Sequence, residues 1–211
     1  MGENFLMESG IMVSSVMAVV LLASILTFAI FSGKLELFKN KKTQSSDEIS
    51  TTLMKSLKRF AGLRDMELLG KTTLSFGGET FDFDAILLTY YGTIAVKSCF
   101  AQGEIYGEAR DEKWVAIDKN GKKTHFANPM SSANGSVKFF KELYGAEKAK
   151  CGLSEAVVVF PAKNTELFTG KNTNVYTVKS LEAKLSTDKY QADKGADISA
   201  MKAALEKYTV K

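Results

Sequence analysis

The chain has 211 residues, 45% of them hydrophobic and 25% charged, with a formal net charge of +4. That is room for one ordinary globular domain plus an appendage, and no repeat or low-complexity tract suggests another class. The mild charge suits a weakly basic surface near anionic lipid and does not mark a nucleic-acid binder. Cys99 and Cys151 have no metal-ligand spacing around them, and the single histidine, His125, cannot complete a zinc site with them. They are expected to be two buried thiols in a reducing compartment.

From Ile11 to Phe31 the chain carries no charge, no proline and no glycine. As a helix rising 1.5 Å per residue this run spans about 30 Å, the thickness of a bilayer's hydrocarbon core. A cleaved signal peptide fits less well. The preceding flank holds Glu3 and Glu8 but no Lys or Arg, and bulky Ile30 and Phe31 stand where small residues belong. Lys34, Lys39, Lys41 and Lys42 follow the run and none precedes it, which predicts an outward N-terminus and a cytoplasmic C-terminal part in the cell membrane. The expected divisions are a short extracytoplasmic N-terminus (1–10), a transmembrane helix (11–31), a basic linker (32–44) and a cytoplasmic domain (45–211). The lipid bilayer is thus the first expected partner.

Ser45 and Glu48 form a capping-box pattern. Ile49, Leu53, Leu57 and Phe60 then give one apolar helical face ending near Gly62. Strands are predicted over 72–76, 81–89 and 93–100, with turns at Gly77-Gly78 and Tyr91-Gly92 and a stop at Gly103. Asn120-Gly121 joins strands 114–118 and 122–126. A helix opens after Asn128-Pro129 and runs to about Tyr144, with Val137, Phe140 and Leu143 on one side. The run AVVVF (156–160) is a buried central strand, 174–178 is another strand, and 180–185 and 197–208 are short helices. This order predicts an α/β sandwich around one mixed sheet.

The stretch DAILLTYYGTIAVKSCFAQGEIYG (84–107), then Trp114, FANPM (126–130) and AVVVF resembles, in order and spacing, the NERD (nuclease-related domain) family over about residues 45–185. The resemblance implies a restriction-endonuclease-like mixed sheet flanked by helices. It also implies a site in which an Asp ending one strand and an E-x-K on the next hold a divalent metal at the scissile phosphate. Mg²⁺ prefers carboxylate oxygens and activates water, and the lysine orients that water or neutralises charge.

Asp84 falls on the family's Asp. Counting without a gap from Gly92 to Gly103 puts Lys97 in the acidic slot and Cys99 in the lysine slot. Sliding the strand gives Lys97 the lysine role and leaves Ala95 in the acidic slot. Either way no Asp or Glu occurs from Ala85 to Gln102, and Ser132 replaces the family's Gln. Asp84 and Lys97 are therefore the catalytic candidates by family position, with Asp84 the one candidate metal ligand. Glu48, Asp82 and Glu104 could serve as migrated carboxylates, Asp82 because it shares the face of Asp84 on a continuous strand. Lys97, Lys113, Lys122 and Lys123 could form a phosphate patch, although Asp111, Glu112 and Asp118 interleave with them. Trp114 could stack a base, against the alternative of partly buried packing. A Walker-type loop and a Ser-His-Asp triad are absent.

The leading expectation is a membrane-anchored, non-catalytic module that binds nucleic acid or a protein. The alternatives are an active Mg²⁺-dependent nuclease with a migrated carboxylate, and a structural or interaction protein without a nucleic-acid role. No cofactor is expected outside the nuclease alternative. The run at 11–31 carries no small-xxx-small face that would signal dimerisation.

Overall fold

The computed structural model of the chain describes residues 46–170 and 173–210, apart from the side chains at 46, 48 and 49. Helix α1 (Ser46–Gly62) is followed by strands β1 (Glu67–Leu69), β2 (Thr72–Phe76), β3 (Glu79–Phe83), β4 (Ala85–Leu88), β5 (Gly92–Ser98), β6 (Gly103–Gly107), β7 (Lys113–Ile117) and β8 (Lys123–Ala127). Then come α2 (Pro129–Ala146), β9 (Leu153–Phe160), β10 (Thr165–Thr169), β11 (Val175–Thr177), α3 (Val178–Leu185), α4 (Asp188–Gln191) and α5 (Ile198–Lys207). Among the described residues no helix is long and apolar enough to cross a membrane. The segments expected over 1–10, 11–31 and 32–44 lie outside the described residues.

The central sheet has the order β1-β4-β5-β9-β11, with β5, β9 and β11 parallel and β1 and β4 antiparallel to their neighbours. Its middle strands read as continuous apolar runs because both faces are covered. Ala85, Leu87, Ile94, Val96, Val157 and Val159 pack under α1 and α3 through Leu53, Leu57, Phe60, Leu181 and Leu185. Ile86, Leu88, Ala95, Ala156, Val158 and Phe160 pack under α2 and α5 through Phe139, Phe140, Leu143, Met201 and Leu205. Alternate residues on one strand thus supply two separate cores.

Where the sequence predicts one sheet, the chain forms three. A four-stranded sheet has the order β10-β6-β7-β8, and β2 with β3 forms a separate hairpin. Where the sequence predicts one strand over 81–89, the chain breaks at Asp84. Phe81 and Phe83 face the same core as Ile86 and Leu88, so the pleat loses phase between them. That break sends β3 to β2 and β4 to the central sheet. Gly77, Gly78 and Gly121 adopt positive φ (62°, 83° and 78°), as the expected hairpin turns require. The two cysteines are free and only partly buried, where the composition suggests full burial.

Candidate functional site

The break at Asp84 is also what builds the site. In the antiparallel β4–β5 pair Ala85 faces Val96 and Ile86 faces Ala95, so Asp84 emerges beside the end of β5. Its Oδ2 accepts the backbone N–H of Ser98 at 2.6 Å. Ala95 and Lys97, on one face of β5, line a cleft of about 510 Å³ between β3, β5 and the first turns of α2. Phe81, Phe83 and Ala133 supply its apolar wall, and Thr80, Asp82, Ser131, Ser132 and Ser136 its polar groups.

Helix α2 closes the cleft, and its start is fully engaged. Pro129 has no N–H to offer, Asn128 Oδ1 accepts from Met130 N at 2.9 Å, and Ser131 N donates to Asn128 O at 3.2 Å. Ser132 and Ser136 turn their hydroxyls back to Pro129 O and Ala133 O. Among the described residues Lys97 has no ion-pair partner. Its Nζ makes a long contact, 3.5 Å, to the Asp82 carbonyl. The cleft therefore offers one cation and little free helix-end donor capacity.

The structure separates several residues that the sequence groups. Asp82 lines the cleft, but its Oδ1 accepts from Thr73 Oγ1 at 2.6 Å across the β2–β3 hairpin, while Asp84 is bound to β5. The phase break between them removes the shared strand face expected for the pair. Glu104 lies on the solvent face of the four-stranded sheet and accepts from Tyr106 Oη at 2.7 Å, away from the cleft lining. That bond, together with the nearby Glu166, holds the Tyr106 phenol above its ordinary pKa. Glu48 belongs to α1, and its side chain lies outside the described residues. Among the described residues no group of three or more His, Cys, Asp or Glu could hold a metal ion.

The expected lysine patch is dispersed. Lys113 pairs with Ala127 and Lys123 with Ile117, so Lys113 and the Lys122-Lys123 pair sit at opposite ends of the β7–β8 hairpin. Lys97 belongs to the other sheet. Trp114 is fully buried, donates Nε1–H to Glu108 O at 3.0 Å and lies parallel to Phe160. Both faces of its ring are enclosed, with Phe126 and Phe160 as its aromatic neighbours.

Residues 48–161 match the family described as NERD, nuclease-related domain, and this covers more than half of the chain. The chain belongs to the nuclease-related domain family. Neither the curated proteins nor the solved structures give a match. The NERD match spans α1 to the end of β9, so it takes in Asp84, Ala95, Lys97 and the start of α2, the parts that meet at the cleft.

A second cluster, which joins β9 of the NERD match to residues beyond it, had no motif to reveal it. Glu155 on β9 gathers the phenols of Tyr91 (2.9 Å) and Tyr190 (2.5 Å) and the Lys189 ammonium on one carboxylate. The only sequence signal was a Glu entering an apolar strand. Its three donors come from distant stretches of chain.

Proposed function

We propose that this chain is a membrane-anchored NERD protein with a restriction-endonuclease-like core whose cleft binds without cutting. Residues 11–31 would span the bilayer, and the domain would act on its cytoplasmic side as a nucleic-acid- or protein-binding module. The observation that carries the reading is Ala95. It lines the cleft two residues before Lys97 and one strand from Asp84, and it takes the family's acidic slot when Lys97 is given the lysine role. Mg²⁺ demands a near-octahedral oxygen shell at about 2.1 Å. Here Asp84 already serves Ser98 N–H, Asp82 serves Thr73, and Ala95 brings no oxygen. That donor set does not fit a catalytic Mg²⁺, and no metal-assisted step is assigned to it.

The dispersed lysines and the sealed Trp114 favour a protein partner over nucleic acid, since phosphate tracking needs several cations along one path. The nuclease alternative keeps one supporting feature, Asp82 in the cleft wall. One assay separates the readings: the full chain is incubated with DNA and Mg²⁺ or Mn²⁺, beside Asp84→Ala, Asp82→Ala and Ala95→Glu. The expected result is no cleavage by the native chain. Cleavage that Asp84→Ala or Asp82→Ala abolishes would overturn the reading. For the anchor, a chain lacking residues 1–31 should leave the membrane fraction, and its retention there would refute the span.

A further inference from the structure

The solvent face of the four-stranded sheet has a charge pattern that its neighbours among the described residues leave unanswered. The pairing register sets two rows across the strands β10, β6, β7 and β8. One row reads Glu166, Glu104, Ile117, Lys123, and the other reads Phe168, Tyr106, Val115, His125. The alternate residues Ile105, Trp114 and Ala116 are buried on the opposite face, so both rows point outward.

Phe168 and Tyr106 are 50% and 38% exposed, with rings stacked 4.8 Å apart at 9°. Glu166 and Glu104 are directly paired neighbours of like charge, an arrangement that is destabilising on a sheet. Among the described residues neither they nor Lys123 has an ion-pair partner. The face is therefore acidic along β10 and β6, apolar through its middle, and basic at Lys123 on the β8 edge and at Lys113 where β7 begins.

We propose that this face is an interface between two copies of the chain. A two-fold axis lying in the interface and running along the strands places β10 of one copy over β8 of the other and keeps each row against itself. Glu166 of one copy then meets Lys123 of its partner, twice by symmetry. Glu104 lies over the partner's Ile117, Phe168 over the partner's His125 and Tyr106 over the partner's Val115. The pairing answers Lys123 and one of the two uncompensated carboxylates, and it covers the exposed aromatic pair Phe168 and Tyr106. Aligned sheets pack in this face-to-face manner about 10 Å apart. Four strands about 4.8 Å apart and five residues long present roughly 300 Å² per copy, well below a standard interface, so association is weak and concentration-dependent. This surface is separate from the Ala95 cleft, and the inference holds whichever way the cleft reading falls.

The test is sedimentation of the full chain, solubilised in mild detergent, over a wide concentration range. Four forms are compared: native, Glu166→Lys, Phe168→Ser, and Glu166→Lys combined with Lys123→Glu. The native chain should show a reversible monomer–dimer equilibrium. Glu166→Lys and Phe168→Ser should each weaken it at least tenfold, and the double charge reversal should restore it. All three positions changed are at the surface, and circular dichroism checks that the fold is kept. A chain that is monomeric throughout overturns the proposal, as does a dimer equally strong in Glu166→Lys and Phe168→Ser. If the native chain is monomeric and Phe168→Ser loses oligonucleotide binding, the face belongs to nucleic acid and the dimer is refuted.

Discussion

Glu155→Gln removes the charge from a three-donor carboxylate while keeping its shape. Burial works against ionisation of Glu155, but hydrogen bonds from Lys189, Tyr190 and Tyr91 outweigh it and hold the carboxyl below its ordinary range. Hydrogen bonds to a charged group contribute about 1.5–3 kcal/mol and neutral ones about 0.5–1.5, so each phenol contact weakens by about 1 kcal/mol, one of them with the phenol now accepting from the new amide N–H. The Lys189 bond is half exposed and adds little after solvent screening. The expected cost at neutral pH is therefore about 2 kcal/mol, or roughly 4–8 °C in Tm for a domain of this size. The sign of the pH dependence follows from the direction of the shift. A carboxyl whose pKa is lower in the folded state stabilises above its unfolded value of about 4.3, and that stabilisation is lost as pH falls through the folded value. Urea denaturation of both forms at pH 7 and near pH 3 should thus show a gap at neutral pH that closes in acid. A gap below about 0.5 kcal/mol at pH 7, or one that persists in acid, refutes the account of the cluster.

Gly92→Ala should abolish soluble expression, because the new Cβ would lie 1.7 Å from Leu153 O at a φ of +143°. Gly121→Ala has open space at a φ of +78° and should cost only about 1–2 kcal/mol by denaturation. Trp114 is the single tryptophan, so native fluorescence should be blue-shifted and unresponsive to added oligonucleotide. Quenching by oligonucleotide would reinstate the base-stacking role. Asp84→Asn keeps an acceptor for Ser98 N–H and should melt within about 1 kcal/mol of native, whereas Asp84→Ala leaves that donor unpaired and should cost about 1–2 kcal/mol.

The helices and the middle strands were legible because burial imposes a period on them. Asn128-Pro129 announced α2 through a cap whose geometry the structure reproduces, and AVVVF announced β9 because both of its faces are covered. The strands that escaped have few buried residues. In β6 only Ile105 is buried and in β10 only Thr165, and β1 has three half-buried residues. The break at Asp84 was written in the sequence as a change of phase, odd apolar positions at Phe81 and Phe83 giving way to even ones at Ile86 and Leu88. An unbroken apolar run hides such a slip unless its parity is followed. Pairwise placement of the lysines was not legible, because Lys113 and Lys123 are separated by hairpin register and not by distance along the chain.

Asp84 alone says little about cleavage, since its bond to Ser98 holds the point where the chain leaves one sheet for another. A nuclease and its non-cutting relative would both keep it. Ala95 carries the distinction because of where it sits. It is 4% exposed and faces α2, so a carboxylate added there loses solvent and needs a cation to remain charged. Lys97 two residues on is one candidate, and a divalent ion shared with Asp84 is the other. Ala95→Glu should therefore be less stable than the native chain in chelator and regain stability as Mg²⁺ is added. A ligand at 100 times its Kd contributes about 2.7 kcal/mol. The native chain should show no Mg²⁺-dependent rise in Tm. If both forms respond alike, the cation binds elsewhere and Ala95 does not stand in a vacated ligand position.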